Sequence, residues 1–341
     1  MQPIAILNGS SRWGLCSLLL GLGCAASTPA PSPAPTPAPA SAPEVRPHDW
    51  VIPTAYEEDR WFAEPMVAAS GEKLHIYLDT GGNNFLFLDV VERLGLPKLG
   101  LGEGRAQRVE APFPELAAGS TMPRPQTREG RVIVQKSPPP GSGAEGWSGM
   151  LGPEWFAGGC WDFDYPKKVL TLLADCGARF ESGPGQVPLG FQEGFYFPRV
   201  EVEIDGAPLD LLLDTGANTK LSEAAVSALA DGRGVVRATS FITDQTFSAW
   251  QSKHPEWRVI EAAEGRTGEA MIEVPAVKFG GQVVGPVWFT RRPTAAFHEF
   301  MSEWMDRRIE GALGGNALRD LDMVIDYPGK RAMFRRPPPK L

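Results

Sequence analysis

Leu74-His75-Ile76-Tyr77-Leu78-Asp79-Thr80-Gly81 and Leu209-Asp210-Leu211-Leu212-Leu213-Asp214-Thr215-Gly216 are the stretches whose reading decides the fold. Each is an apolar run that ends in Asp-Thr-Gly, and the two lie 135 residues apart (214 − 79). Leu74, Ile76 and Leu78 alternate onto one face, as do Leu209, Leu211 and Leu213, which is strand periodicity. The repeat extends backwards: Met66 to Gly71 lies on Glu201 to Gly206. Both read as a strand and a glycine turn into the strand that carries the Asp. It also extends forwards. Val91 and Leu94 fall on Val226 and Leu229, each pair three apart, as on one face of a short helix. A lone three-residue motif has a high false-positive rate, and the surrounding repeat is what gives this one weight.

A second block repeats at a larger offset. Gly149-Met150-Leu151-Gly152 lies on Gly311-Ala312-Leu313-Gly314, 162 residues on (311 − 149), and Asp164-Tyr165-Pro166-Lys167-Lys168 lies on Asp326-Tyr327-Pro328-Gly329-Lys330. Trp161 to Asp164 and Val169 to Leu173 read as strands joined by a turn over Tyr165 to Lys168, with Pro at the position where its fixed φ fits. Met323 to Ile325 and Ala332 to Phe334 repeat that hairpin. The second half therefore carries 27 extra residues between its blocks (162 − 135).

Asp-Thr-Gly, then an apolar pair closed by Gly, then an Asp-Tyr-Pro hairpin, all present twice, resembles the retropepsin-like and pepsin-like aspartic proteases. The resemblance covers roughly Trp50 to Arg336 and is closest to the single-chain arrangement, with small retropepsin-like lobes. It implies a mainly β fold of two homologous β-barrel lobes with short helices, at 49–180 and 187–336, joined by Glu181 to Gln186, with a groove between them. It also implies an aspartic endopeptidase acting on a peptide or protein as a monomer without a cofactor. Asp79 and Asp214 would be the catalytic pair. Two carboxyls about 3 Å apart cannot both ionise, so they share a proton. One activates a water and the other donates to the scissile carbonyl. Thr80 and Thr215 would hydrogen-bond across the two-fold axis, Gly81 and Gly216 would let backbone N–H groups reach the carboxylates, and Leu151-Gly152 and Leu313-Gly314 would pack behind the Asp loops. The alternative is a silent binding module on the same fold.

Two departures from the family pattern stand out. Gly82 and Ala217 occupy positions where pepsin-like enzymes place a hydroxyl donor, and losing a donor to the ionised form raises a carboxyl pKa. The expected optimum is therefore nearer neutral than strongly acid. None of the five tyrosines lies between the two blocks of either lobe, where the flap belongs. Trp250 and Trp257 have two readings, as groove lining or as half-buried packing. Gly100 to Gly104 reads as a flexible flap segment, lacking the Lys and the spacing of a phosphate loop. His298 to Arg307 reads as a helix whose Phe300 and Trp304 pack near Leu313-Gly314.

The front of the chain has its own logic. Leu15 to Leu22 is apolar, follows Arg12 and ends at Gly23-Cys24-Ala25-Ala26-Ser27, which reads as an export signal over 1–24. Two cleavage readings remain open: a lipoprotein acylated at Cys24, or an ordinary signal cut near Ala25 to Ser27. Residues 25–48 form a Pro/Ala-rich linker, with Thr28 to Pro47 almost all Ala, Pro, Ser and Thr, which cannot build a core. A lipid-anchored domain held off a membrane would follow, by analogy at the outer membrane, facing the periplasm or the cell surface. The remaining sequence is long enough for two lobes, each with a core. With 33 Lys+Arg against 41 Asp+Glu, the net charge of −8 argues against a nucleic-acid partner. No His or Cys grouping has zinc spacing, so no metal is expected. Cys160 and Cys176 are candidates for a disulfide, though strict hairpin register sets Cys160 opposite Leu173, so a bridge needs a bend.

Overall fold

Strand pairing reproduces the repeat. In the computed structural model, which describes residues 48–101, 108–120, 122–125, 130–181 and 185–337, the strand Ile76–Leu78 runs parallel to Gly149–Leu151, with Leu78 opposite Leu151. Gly149–Leu151 pairs antiparallel with Phe85–Phe87, which runs parallel to Arg131–Gln135. In the second half Ala207–Asp214 runs parallel to Gly311–Gly314, with Leu213 opposite Leu313. Gly311–Gly314 pairs antiparallel with Ser240–Thr243, which runs parallel to Val287–Arg292. Both Asp-bearing strands are sheet-interior, and Ile76, Tyr77, Leu78, Leu211, Leu212 and Leu213 are all buried. These strands are covered on both faces, beyond the one-face alternation expected from the sequence.

The sheet order corrects one equivalence. Phe85–Phe87 and Ser240–Thr243 hold the same place, so Phe85 corresponds to Phe241 at an offset of 156 (241 − 85). The helix after Phe85–Phe87, Leu88–Arg93, therefore corresponds to Asp244–Lys253 and not to Glu223–Leu229. Val226 and Leu229 do lie on a helix, but it belongs to an excursion over 218–238 that the first half lacks. Spacing by three is common to any amphipathic helix and cannot tell one from another. Of the 27 extra residues, 21 fall in this excursion (156 − 135).

A third sheet joins the halves. Its order is Trp50–Ile52, Val169–Leu172, Cys160–Asp164, Asp322–Asp326, Arg331–Arg335, Gln186–Pro188, so the two Asp-Tyr-Pro hairpins sit side by side. Their turns match: Lys168 N–H donates to Tyr165 O at 3.1 Å and Lys330 N–H to Tyr327 O at 3.2 Å. Because this sheet is shared, the largest buried cluster runs from Trp61 through Trp161 and Phe163 to Leu313 and Ile325, instead of forming a separate core in each half. Leu173 N–H donates to Cys160 O, as the hairpin register required. The chain then bends back, bringing Cys176 to a Cα separation of 5.7 Å and a disulfide with Cys160.

The segment expected as a helix over His298 to Arg307 is a π turn at Ala296–Phe300 followed by a 3₁₀ turn at Met301–Trp304. Phe297 and Met301 make the buried i, i+4 pair, while Phe300 is 49% exposed and Trp304 36%. The buried stripe is thus out of phase with the one expected, and Trp304 packs edge-on against Phe195. The signal region with Cys24, the linker up to residue 47, and residues 102–104 of the expected flap segment lie outside the described residues.

Candidate active site

Each Asp-Thr-Gly lies where a sheet-interior strand ends and the chain turns. Asp79 N–H donates to Leu151 O at 3.0 Å, and Leu213 pairs beside Leu313, so the expected backing of both loops is present. Gly152 has no room for a Cβ, which would lie 2.7 Å from the Asn83 nitrogen. Gly152 N–H is held by Asn84 Oδ1 at 2.7 Å, and Gly314 N–H by Ser240 Oγ at 3.0 Å.

The two loops grip each other through their threonines. Thr80 Oγ1 donates to Leu213 O at 2.6 Å and accepts from Thr215 N–H at 3.0 Å. Thr215 Oγ1 donates to Leu78 O at 3.1 Å and accepts from Thr80 N–H at 3.1 Å. Both threonines are fully buried, so all four bonds are shielded from water. A two-fold axis written in sequence as a repeat becomes two side chains that each satisfy the other loop.

The glycines do two jobs, of which the sequence shows one. Gly81 N–H donates to Asp79 Oδ1 at 2.8 Å and Gly216 N–H to Asp214 Oδ1 at 2.9 Å. Each glycine also abuts the carboxyl of the opposite loop. A Cβ on Gly81 would lie 2.7 Å from Asp214 Cγ, and one on Gly216 would collide with the Asp79 carboxyl. The two carboxyls can face each other because neither glycine carries a side chain.

Burial pushes the carboxyls of both Asp79 and Asp214 up from their usual range. They then diverge. Asp79 is relieved by a hydrogen bond from Asp214 and by Gly81 N–H. Asp214 is driven well above the ordinary value, first by burial and then by the Asp79 charge, which its N–H donors from Gly216 and Ala217 only partly offset. The two carboxyls therefore titrate as one coupled pair that holds a shared proton between them.

Both aspartates border a cavity of about 280 Å³. From the first half Phe85, Phe87, Trp147 and Met150 line it, and from the second Leu212, Phe241, Phe297, Phe300 and Met301. Of the polar walls, Arg292 is paired with Glu264 at 2.9 Å and lies over the Phe241 ring. Of these aromatics the sequence singled out only Phe300, and as packing and not as cavity lining. The phase of the Asp-bearing strand could have flagged Leu212, which lies between the core-facing Leu211 and Leu213. Trp250 and Trp257 take the packing reading: Trp250 is buried edge-on against Phe289, and Trp257 stacks on His254. Among the described residues no group of three or more His, Cys, Asp or Glu is placed to hold a metal ion.

The fold is the bilobal pepsin-like aspartic proteinase architecture. Among solved structures the chain is similar to the crystal structure of aspartic proteinase from Irpex lacteus, with a TM-score of 0.51 and 12% sequence identity, over 84% of this chain and 97% of that one. A comparison with protein-family models finds no match. A comparison with curated proteins likewise finds none.

Proposed function

We propose that the protein is an aspartic endopeptidase that hydrolyses peptide bonds with a water activated by Asp79 and Asp214. The observation that carries this reading is the facing, buried carboxyl pair, one from each half, at the floor of an apolar cavity. In the singly protonated pair Asp79 is the general base: it takes a proton from the attacking water as oxygen bonds to the carbonyl carbon. Asp214 gives its proton to the carbonyl oxygen, and the product of this step is a tetrahedral gem-diol. Collapse breaks the C–N bond: Asp79 gives its proton to the leaving nitrogen while a hydroxyl of the diol gives its proton to Asp214, which leaves a carboxylic acid, an amine and the singly protonated pair restored. The lining of Phe, Trp, Met and Leu favours substrates with bulky apolar side chains at the cleaved bond.

Because burial raises both carboxyls, cleavage should persist towards neutral pH. The test is cleavage of a broad peptide library from pH 3 to 8 by the purified protein and by Asp214→Asn. Activity abolished by that substitution supports the pair. Equal silence of both proteins would favour a binding module on the same fold, and a profile peaking below about pH 4 would contradict the raised carboxyls. The proposed setting is the cell envelope, with Cys24 acylated and 25–48 as a spacer. Cys24→Ser should then release the protein from the membrane fraction, and equal retention would count against the anchor.

A further inference from the structure

Tyr77 sits two residues before Asp79 and is fully buried, yet its hydroxyl serves the other half of the molecule. It donates to Gly216 O at 3.0 Å. Asn218 Nδ2 donates to the same oxygen at 2.9 Å and reaches the Tyr77 hydroxyl at 3.3 Å. Gly216 O belongs to the peptide whose nitrogen is that of Ala217; this N–H donates to the Asp214 backbone carbonyl at 3.3 Å, which sets it beside the Asp214 carboxyl, on which it also acts. Two donors on a carbonyl polarise the peptide and strengthen donation from its own N–H.

We infer that Tyr77, assisted by Asn218, is a positioning residue that holds the 216–217 peptide against Asp214 and does for that carboxyl what a hydroxyl at position 217 would otherwise do. Position 217 is Ala and has no donor of its own. The brace runs one way only. Leu212 occupies the equivalent place before Asp214, has nothing to donate and lines the cavity instead. Burial keeps the Tyr77 hydroxyl protonated, so it remains a donor throughout the working range. The charged groups acting on it are Arg60, Asp79 and Asp214.

This role rests on the proteolytic reading for its kinetic consequence but not for its electrostatic one, so the test reads both. Tyr77→Phe removes one oxygen and leaves the ring between Phe62 and Trp147. Losing support for a donor to ionised Asp214 should move the upper ionisation of the pair to higher pH. In a ¹³C-carboxyl titration, assigned with Asp79→Asn and Asp214→Asn, the upper step should rise by about half a pH unit. On a cleaved peptide kcat should fall about tenfold with KM nearly unchanged, and the alkaline limb should shift with the titration. Asn218→Ala should move both readouts the same way, by less. A folded Tyr77→Phe protein whose titration overlays wild type overturns the inference, whether its melting temperature is unchanged or lowered. An active Asp214→Asn would sink the proteolytic reading, while the carboxyl titration would still judge the brace.

Discussion

The crossed placement of the two glycines makes a demanding prediction for Gly81→Ala. The added methyl would lie 2.7 Å from Asp214 Cγ and 2.8 and 2.9 Å from its oxygens, where ordinary contact begins at about 3.4 Å. The Asp214 carboxyl must therefore retreat by roughly 0.7 Å, the difference between those distances. It is not free to do so cheaply, because Gly216 N–H holds Oδ1 at 2.9 Å and Asp79 faces it. Crowding of this kind costs about 1–3 kcal/mol. Part of that is returned by the lower unfolded-state entropy of Ala, about 0.4–1 kcal/mol. The stability loss should thus be small, about 0.5–2 kcal/mol, while displacing a reacting group by nearly 1 Å should cut kcat about ten- to hundredfold. Gly71→Ala is the converse control. Gly71 has φ +70° with open space around it, so its methyl should cost about 1 kcal/mol in strain and leave kcat untouched. The assays are calorimetric melting and initial rates on one cleaved peptide. Wild-type kcat in Gly81→Ala would refute the claim that this glycine keeps the opposite carboxyl clear.

Three further outcomes are expected. Thr80→Val leaves Leu213 O and Thr215 N–H unpaired in a dry site and should cost about 2–6 kcal/mol by melting, with Thr80→Ser recovering most of it. Cys176→Ser opens a loop of 16-residue separation and should remove about 3 kcal/mol, lowering Tm by roughly 6–12 °C without altering kcat; an unchanged Tm would show that the bridge contributes nothing. On the shared sheet, burial and then Asp322 push Asp162 up to about 8 despite the nearby Arg179, with Asp164 adding to the rise. A raised folded pKa gives stability that is complete below the unfolded value near 4 and lost as pH climbs to about 8. Tm should therefore decline over that window, and Asp162→Asn should flatten the decline.

What was legible in the sequence was contiguous. The strand into each Asp, the backing Leu-Gly pairs and the Asp-Tyr-Pro turns all rest on neighbours in the chain, and all appear where pattern placed them. The threonine grip was readable because a repeat carries its symmetry with it. The cavity lining was not. Phe85, Trp147, Phe241 and Phe297 come from separate segments, and only the sheet order brings them to one place. The same holds for Tyr77, which in sequence is one apolar strand position among several and in space is the hydroxyl over Gly216. Phe300 and Trp304 show the opposite failure: a valid i, i+4 spacing met a π turn, and the neighbouring pair Phe297 and Met301 took the core.

Symmetry ends just outside the Asp-Thr-Gly loops, and the excursion over 218–238 shows what the asymmetry is for. The tip of the hairpin formed by Thr54–Glu57 and Arg60–Ala63 puts Glu58 and Asp59 at positive φ, 51° and 64°, and pushes both into the second half. There Arg233 donates to Glu58 and to Asp59, each at 2.9 Å. Gly234 N–H donates to Glu58 Oε1 and Ala238 N–H to Glu58 O, also at 2.9 Å each. All three donor residues lie in or at the end of the excursion, so the added chain forms a clasp between halves that the threonines join only at the centre. Asp59 is 7% exposed and is left with Tyr56 and a distant Arg319 if Arg233 is removed. Arg233→Ala should therefore cost about 1–3 kcal/mol, the range for breaking charge-assisted bonds to a largely buried carboxylate. Because the clasp spans the halves, slow hydrogen exchange at Ala238 and over Arg60–Ala63 should be lost together while exchange at the threonine loops holds. If protection fell only on the second-half side, the excursion would be a local ornament and not a join.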